Sequence, residues 1–151
     1  MSDQDNIALL DLKSGQVKIR LRPDLAPTHV ERIRELIGEG FYDGLKFHRV
    51  IDGFMAQTGC PDGTGFGGSG QNIAAEFTDA PFQRGTCGMA RAMSPDSADS
   101  QFFITFGDTP HLNGEYTVWG EVVEGMEHID AVAKGEPPSD PDTIVKFSLA
   151  A

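Results

Sequence analysis

Apolar positions alternate along much of this chain, and the alternation predicts a molecule built mainly of short strands. Ile7 to Leu12 and Gln16 to Leu21 read as two strands around Ser14-Gly15, an opening hairpin. Pro27 suits the first turn of a helix, and Thr28 with Glu31 three residues on has capping-box spacing. Val30, Ile33 and Ile37 recur at i, i+3 and i+7, which predicts one buried stripe ended by Gly38 or Gly40. Phe47 to Ile51 alternates again, with Phe47, Arg49 and Ile51 on one face. A turn at Asp52-Gly53 leads into Phe54-Met55-Ala56-Gln57, where Met55 and Gln57 share a face. Thr86 to Ala90 is a strand candidate, and Ser100 to Phe106 is the strongest in the chain. Its Gln101, Phe103 and Thr105 lie on one face, and Phe102, Ile104 and Phe106 on the other. Aromatics on both faces require cover on both, as an apolar interior and an apolar patch outside would give. Tyr116 to Val123 makes a strand carrying the single Trp, Trp119. Gly125 to Ala133 has helical spacing, Glu136 to Pro141 reads as a rigid loop, and Thr143 to Leu149 as the last strand. Two helices and about eight strands in 151 residues predict one mainly β domain over residues 1–151, closed into a barrel that disposes of its edges.

Charge narrows the function. The chain carries 23 acidic residues against 12 Lys and Arg, a net charge of -11, so it lacks the basic face that a nucleic-acid partner requires. No stretch approaches the ~20 apolar residues of a membrane span, and the N-terminus lacks the basic start and apolar run of a secretory signal. Cys60 and Cys87 form no CxxC pair and read as free thiols in a reducing compartment, so the cytoplasm is the expected location.

Candidate chemistry concentrates between Tyr42 and Gly59, where a cation, a planar amide and large apolar side chains lie close together. Such a set suits an amide-containing ligand, although an ordinary hairpin with a solvent-facing Arg fits those residues equally well. Other constellations are weak. His29, His48, His111 and His128 have no metal-ligand spacing, and Ser69 is not in a nucleophile elbow. Nothing around Cys60 or Cys87 marks an activated thiol. Gly65, Gly67 and Gly70 make a formal GxGxxG, but Pro61-Asp62 breaks the strand that a dinucleotide site needs before it.

The segment YDGLKFHRVIDGFMAQTG, Tyr42 to Gly59, closely resembles the signature of the cyclophilins, the peptidyl-prolyl cis/trans isomerases. The resemblance extends to Gly88-Met89-Ala90-Arg91-Ala92, Ser100-Gln101-Phe102-Phe103-Ile104 and Leu112 to Gly120, and covers about residues 6 to 149. It implies an eight-stranded antiparallel barrel capped by two helices, acting without cofactor or metal. It also implies a monomer working on proline-containing peptides and on unfolded or flexible protein segments. Carried over by position, Arg49 is the catalytic cation, and Phe54, Met55, Phe103 and Leu112 resemble the proline pocket. Gln57 and Gln101 look like donors to the substrate backbone. Ala90 and Arg91 resemble the edge along which the peptide lies, with Arg91 acting chiefly through its main chain. Two positions depart from the family pattern: His111 stands where many members have Trp, and Tyr116 where many have His. The smaller, polar ring of His111 predicts weak cyclosporin binding. A proline-peptide binding module without catalysis is the alternative on the same fold.

Overall fold

The opening hairpin forms as the alternation predicts, with β1 (Ile7–Leu12) and β2 (Gly15–Leu21) paired antiparallel from Ile7 opposite Arg20 to Leu12 opposite Gly15. The structure is a computed structural model that describes residues 6–63 and 67–150. Six more strands follow: β3 (Arg49–Ile51), β4 (Met55–Thr58), β5 (Thr86–Met89), β6 (Phe102–Thr105), β7 (Val118–Glu124) and β8 (Lys146–Leu149). They form one antiparallel sheet in the order β3-β4-β6-β5-β7-β2-β1-β8. No helix among the described residues is long and apolar enough to cross a membrane.

The expected closure is not made by strands. β3 and β8 are the two ends of the sheet, and among the described residues no ladder joins them. β3 is only three residues long, and the backbone before it pairs with the segment leading to β8. Phe47 N–H donates to the Asp142 carbonyl at 2.8 Å, and Ile144 N–H to the Leu45 carbonyl at 2.8 Å. Val50 and Gly135 exchange two bonds of 2.8 Å. The sheet is therefore strongly curled but open, and residues 135–144 cover its seam. This irregular pairing also shortens β8, which starts at Lys146 rather than Thr143, while β7, away from the seam, runs from Val118 to Glu124 rather than from Tyr116 to Val123.

Inside the curl, Tyr42, Phe47, Phe102, Trp119 and Phe147 are almost fully buried. Phe102 is central, with ring centroids 5.4 Å from Tyr42, 5.2 Å from Trp119 and 5.9 Å from Phe147. Phe47 joins this interior together with Val50, whereas Arg49 is exposed. The predicted shared face of Phe47, Arg49 and Ile51 therefore breaks, because Phe47 precedes the strand.

Helix α1 (Pro27–Gly38) buries Val30, Ile33 and Ile37 as its period requires, and packs on β8 and β7. At its end Gly40 adopts φ 73°, its N–H bonding the Ile37 carbonyl while Phe41 N–H bonds that of Leu36. This Schellman arrangement selects glycine because an L side chain resists that backbone region. Helix α2 (Met126–Asp130) is shorter than predicted and buries Ile129.

The Thr28–Glu31 capping box is replaced by a distant carboxylate. Glu76 accepts from Thr28 N–H at 3.2 Å and His29 N–H at 2.8 Å, and lies 2.7 Å from His29 Nδ1. Burial lowers the His29 pKa below the ordinary imidazole value, the bond to Glu76 opposing it in part. Burial alone would raise the pKa of Glu76, but its bonds from the His29 ring and from the His29 and Thr28 amides bring it below the usual range. Burial also lowers the pKa of His48. In the unfolded chain these histidines take up a proton near pH 6.5. Folded, they resist until lower pH, so below about pH 6.5 the unfolded state binds more protons and stability falls. Glu76 adds a loss of the same sign at lower pH. Urea midpoints are expected to drop between pH 7.5 and 5.5, and an unchanged midpoint would mean that these imidazoles are not held neutral by folding.

Candidate functional site

Strand register builds the site. Arg49 on β3 lies opposite Gln57 on β4, Gln57 lies opposite Phe103 on β6, and Phe103 lies opposite Gly88 on β5. Directly opposed residues share a face, so one row across four strands carries a cation, an amide and an aromatic ring. Gly88 ends the row for a steric reason. A Cβ there would come within 2.6 Å of Phe82 Cε2 and 2.7 Å of Phe103 Cζ, so only glycine lets the two rings stack, at 5.6 Å between centroids.

This row faces away from the main core, onto a second apolar cluster of Met55, Phe82, Phe103, Leu112 and Val118. The strand β6 thus has both of the covers its aromatics require. Over the cluster opens a cleft of about 100 Å³ lined by Arg49, Phe54, Met55, Gln57, Ala90, Arg91, Phe103, Leu112 and Tyr116. A neighbouring, more polar cleft of about 280 Å³ shares Gln57, Ala90 and Arg91 and adds Gln101. His111 lines neither cleft. Its exposed ring lies 5.5 Å from that of Phe54, at the rim.

A chain of hydrogen bonds sets the polar side chains. Arg49 Nη1 donates to Gln57 Oε1 at 3.4 Å, Gln57 Nε2 to Gln101 Oε1 at 2.9 Å, and Gln101 Nε2 to the Gly67 carbonyl at 3.0 Å. On its other side Arg49 Nε donates to Glu136 Oε1 at 3.2 Å. Arg49 Nη2 has no protein partner among the described residues. With two of its three nitrogens engaged, the planar guanidinium is oriented yet keeps donors for a ligand.

Arg91 serves the wall of the cleft. Its guanidinium lies 4.8 Å from the Tyr116 ring centroid and donates to the Glu115 carbonyl from Nε at 3.1 Å and Nη2 at 2.8 Å. Its Nη1 bonds the carbonyls of Ala92 and Met93. Ala90 N–H continues the sheet onto the Gln101 carbonyl at 2.9 Å, while the Ala90 carbonyl and Arg91 N–H have no protein partner among the described residues. That leaves a short stretch of backbone able to pair with an extended peptide.

Other chemistries find no support in the geometry. The carboxylate of Asp99 accepts from Ser69 N–H at 2.7 Å and Gly70 N–H at 3.0 Å, occupying with negative charge the amides that a phosphate would need. Gly65 of that glycine pattern lies outside the described residues. Cys60 and Cys87 are buried, and burial pushes the Cys87 thiol far up, against any role as a thiolate.

Two contributors escaped the sequence reading. Phe82 and Glu136 both lie in irregular segments without periodicity, where only tertiary docking decides what a side chain meets. Pro81-Phe82 amid polar residues was the one available signal for an aromatic with a buried partner.

The family model "Cyclophilin type peptidyl-prolyl cis-trans isomerase/CLD" matches residues 7–149. A probable peptidyl-prolyl cis-trans isomerase of Brucella suis is 48% identical over 167 aligned positions, covering 99% of this chain and 85% of the relative. Peptidyl-prolyl cis-trans isomerase B of Bacillus subtilis is 45% identical, covering 81% of this chain and 86% of its own. Among solved structures, a cyclophilin from Hirschia baltica superposes with TM-score 0.90 at 28% identity, covering 97% of this chain and 74% of that one. A Cryptosporidium parvum cyclophilin type peptidyl-prolyl cis-trans isomerase, determined in the presence of the dipeptide Ala-Pro, gives 0.88 at 29% identity, covering 96% and 99%. The chain belongs to the cyclophilin-type peptidyl-prolyl cis-trans isomerase family.

Proposed function

We propose that this isomerase seats the proline ring of its substrate over Phe54, Met55, Phe103 and Leu112 and stabilises the twisted amide with Arg49. The observation that carries the reading is the cross-strand row of Arg49, Gln57 and Phe103, which sets an oriented cation at the edge of an apolar cleft. Rotation about an Xaa-Pro bond breaks amide resonance against a barrier of ~18–20 kcal/mol. As resonance is lost, the prolyl nitrogen regains its lone pair and becomes an acceptor. A guanidinium donor near that atom binds the twisted form better than either planar form, which is catalysis by differential binding. No proton changes hands and no cofactor is required.

Arg49 shares the work. Acceleration by about 10⁶-fold takes ~8 kcal/mol, and one charge-assisted hydrogen bond contributes ~1.5–3 kcal/mol. The remainder falls to the ring's fit in the cleft and to backbone groups held by Gln57, Gln101, Ala90 and Arg91 while the rest of the peptide turns. Gln57 and Gln101 are already hydrogen-bonded to one another, so they are preset for the substrate at little conformational cost. Tyr116 walls the cleft, and His111 edges it beside Phe54.

The same reading takes residues 1–151 as a single isomerase domain acting as a cytoplasmic monomer on proline-containing peptides and flexible protein segments, without nucleic acid or membrane. Titration with a short Ala-Pro peptide is expected to perturb amide and methyl NMR signals around Met55, Ala90, Phe103 and Leu112. Perturbations confined elsewhere would remove the cleft from the account. With His111 in place of a larger ring at the rim, the protein is expected to bind cyclosporin weakly by calorimetry. A nanomolar dissociation constant would contradict the role given to that rim.

A further inference from the structure

We propose that Glu136 is a positioning residue for catalysis, acting through Arg49, so that the segment covering the sheet's open seam also aims the catalytic cation. The inference rests on the role given to Arg49 above.

Backbone pairing at the seam brings the two side chains together. Val50 and Gly135 exchange both backbone bonds at 2.8 Å, as a closely spaced antiparallel pair does. Arg49 and Glu136 lie one step beyond that bridge, where the backbone of Glu136 bends, and their side chains meet. Glu136 Oε1 meets Arg49 Nε at 3.2 Å, and Gln57 meets Nη1 from the opposite side at 3.4 Å. The guanidinium is thereby held along two edges of its plane, with Nη2 left for a ligand in the cleft.

The segment is built to hold this position. Gly135 has φ 141°, and a Cβ there would come within 2.7 Å of Pro138 Cα, so the backbone folds tightly back on itself just where Glu136 is presented. Downstream, Asp142 and Ile144 bond to Phe47 and Leu45 across the seam. Glu136 is thus anchored on both sides, and its carboxylate reaches Arg49 without lying inside the cleft. A long side chain half exposed to solvent samples many rotamers, and fixing it beforehand removes that cost from the reacting complex.

Two variants separate orientation from charge. Glu136→Gln keeps an acceptor opposite Arg49 Nε, whereas Glu136→Ala removes it. The expected result is a loss of kcat by about 5- to 10-fold in Glu136→Ala, with KM within about twofold and Glu136→Gln close to wild type, as misplacement of a reacting group predicts. In an Arg49→Ala background, Glu136→Ala should change nothing further. The Arg49 Nε–H resonance should shift or broaden in Glu136→Ala alone. Full or raised kcat in Glu136→Ala would overturn the proposal, as would equal losses in the presence and absence of Arg49. If instead Arg49→Ala alone keeps wild-type kcat, the reading of the site itself fails, and the two failures are told apart by the single variants.

Discussion

Phe102→Ala is expected to cost about 3–5 kcal/mol of stability, as removal of a fully enclosed Phe does. The ring is completely buried and touches three others, from Tyr42, Trp119 and Phe147, that come from separate parts of the chain. No neighbouring element can collapse onto the space without parting from its own partners. For a chain of this length, each kcal/mol lowers Tm by about 2–4 °C, so a fall of roughly 6–20 °C is expected by calorimetry. Phe103, one residue on and on the opposite face, provides the control. It stacks on Phe82 and stands edge-on to Tyr116, with its free side toward the cleft. Phe103→Ala should lose less stability but weaken proline-peptide binding by at least about 10-fold, the equivalent of ~1.4 kcal/mol of lost apolar contact. Equal Tm losses with unchanged peptide affinity would mean that the two faces of β6 do not divide core from site.

Arg49→Ala is expected to leave the fold intact and remove most of the catalysis. The side chain is 45% exposed and belongs to neither apolar cluster, and its ion pair with Glu136 is half solvated, so its loss should change stability by no more than about 0.5 kcal/mol. The catalytic cost is of another order. Deleting a preset donor at a developing charge costs about 10²–10³ in kcat. Arg49→Lys should recover only part of that, because an ammonium keeps the charge without the planar fork that Gln57 and Glu136 hold.

The elements that were legible in the sequence are those whose residues answer to near neighbours. The alternation of Phe102 to Thr105 foretold an apolar cover on both sides, and two separate clusters supply it. Gly40 ends α1 through a local backbone rule. Where the partner is remote, the pattern misleads. Thr28 and Glu31 have the spacing of a cap, yet Glu76 takes the helix N-terminus from 48 positions away. The need to hide edges predicts a closed barrel. The edges are instead covered by a segment that forms no strand, which no periodicity could announce. The residues of the cleft were legible through their resemblance to a family. Their mutual orientation was not, because the Gln57–Gln101 pair, the Phe82 stack and the Glu136 clamp depend on register between strands and loops distant in sequence.

The most direct test of the account is NMR exchange spectroscopy on a short Xaa-Pro peptide, with wild type and Arg49→Ala compared at matched saturation. Wild type should accelerate cis/trans exchange well beyond the free peptide, and Arg49→Ala should bind the peptide comparably while losing at least ~99% of that acceleration. Exchange in the folded variant at the wild-type rate would contradict the account, because the cation would then be a bystander to the rotation.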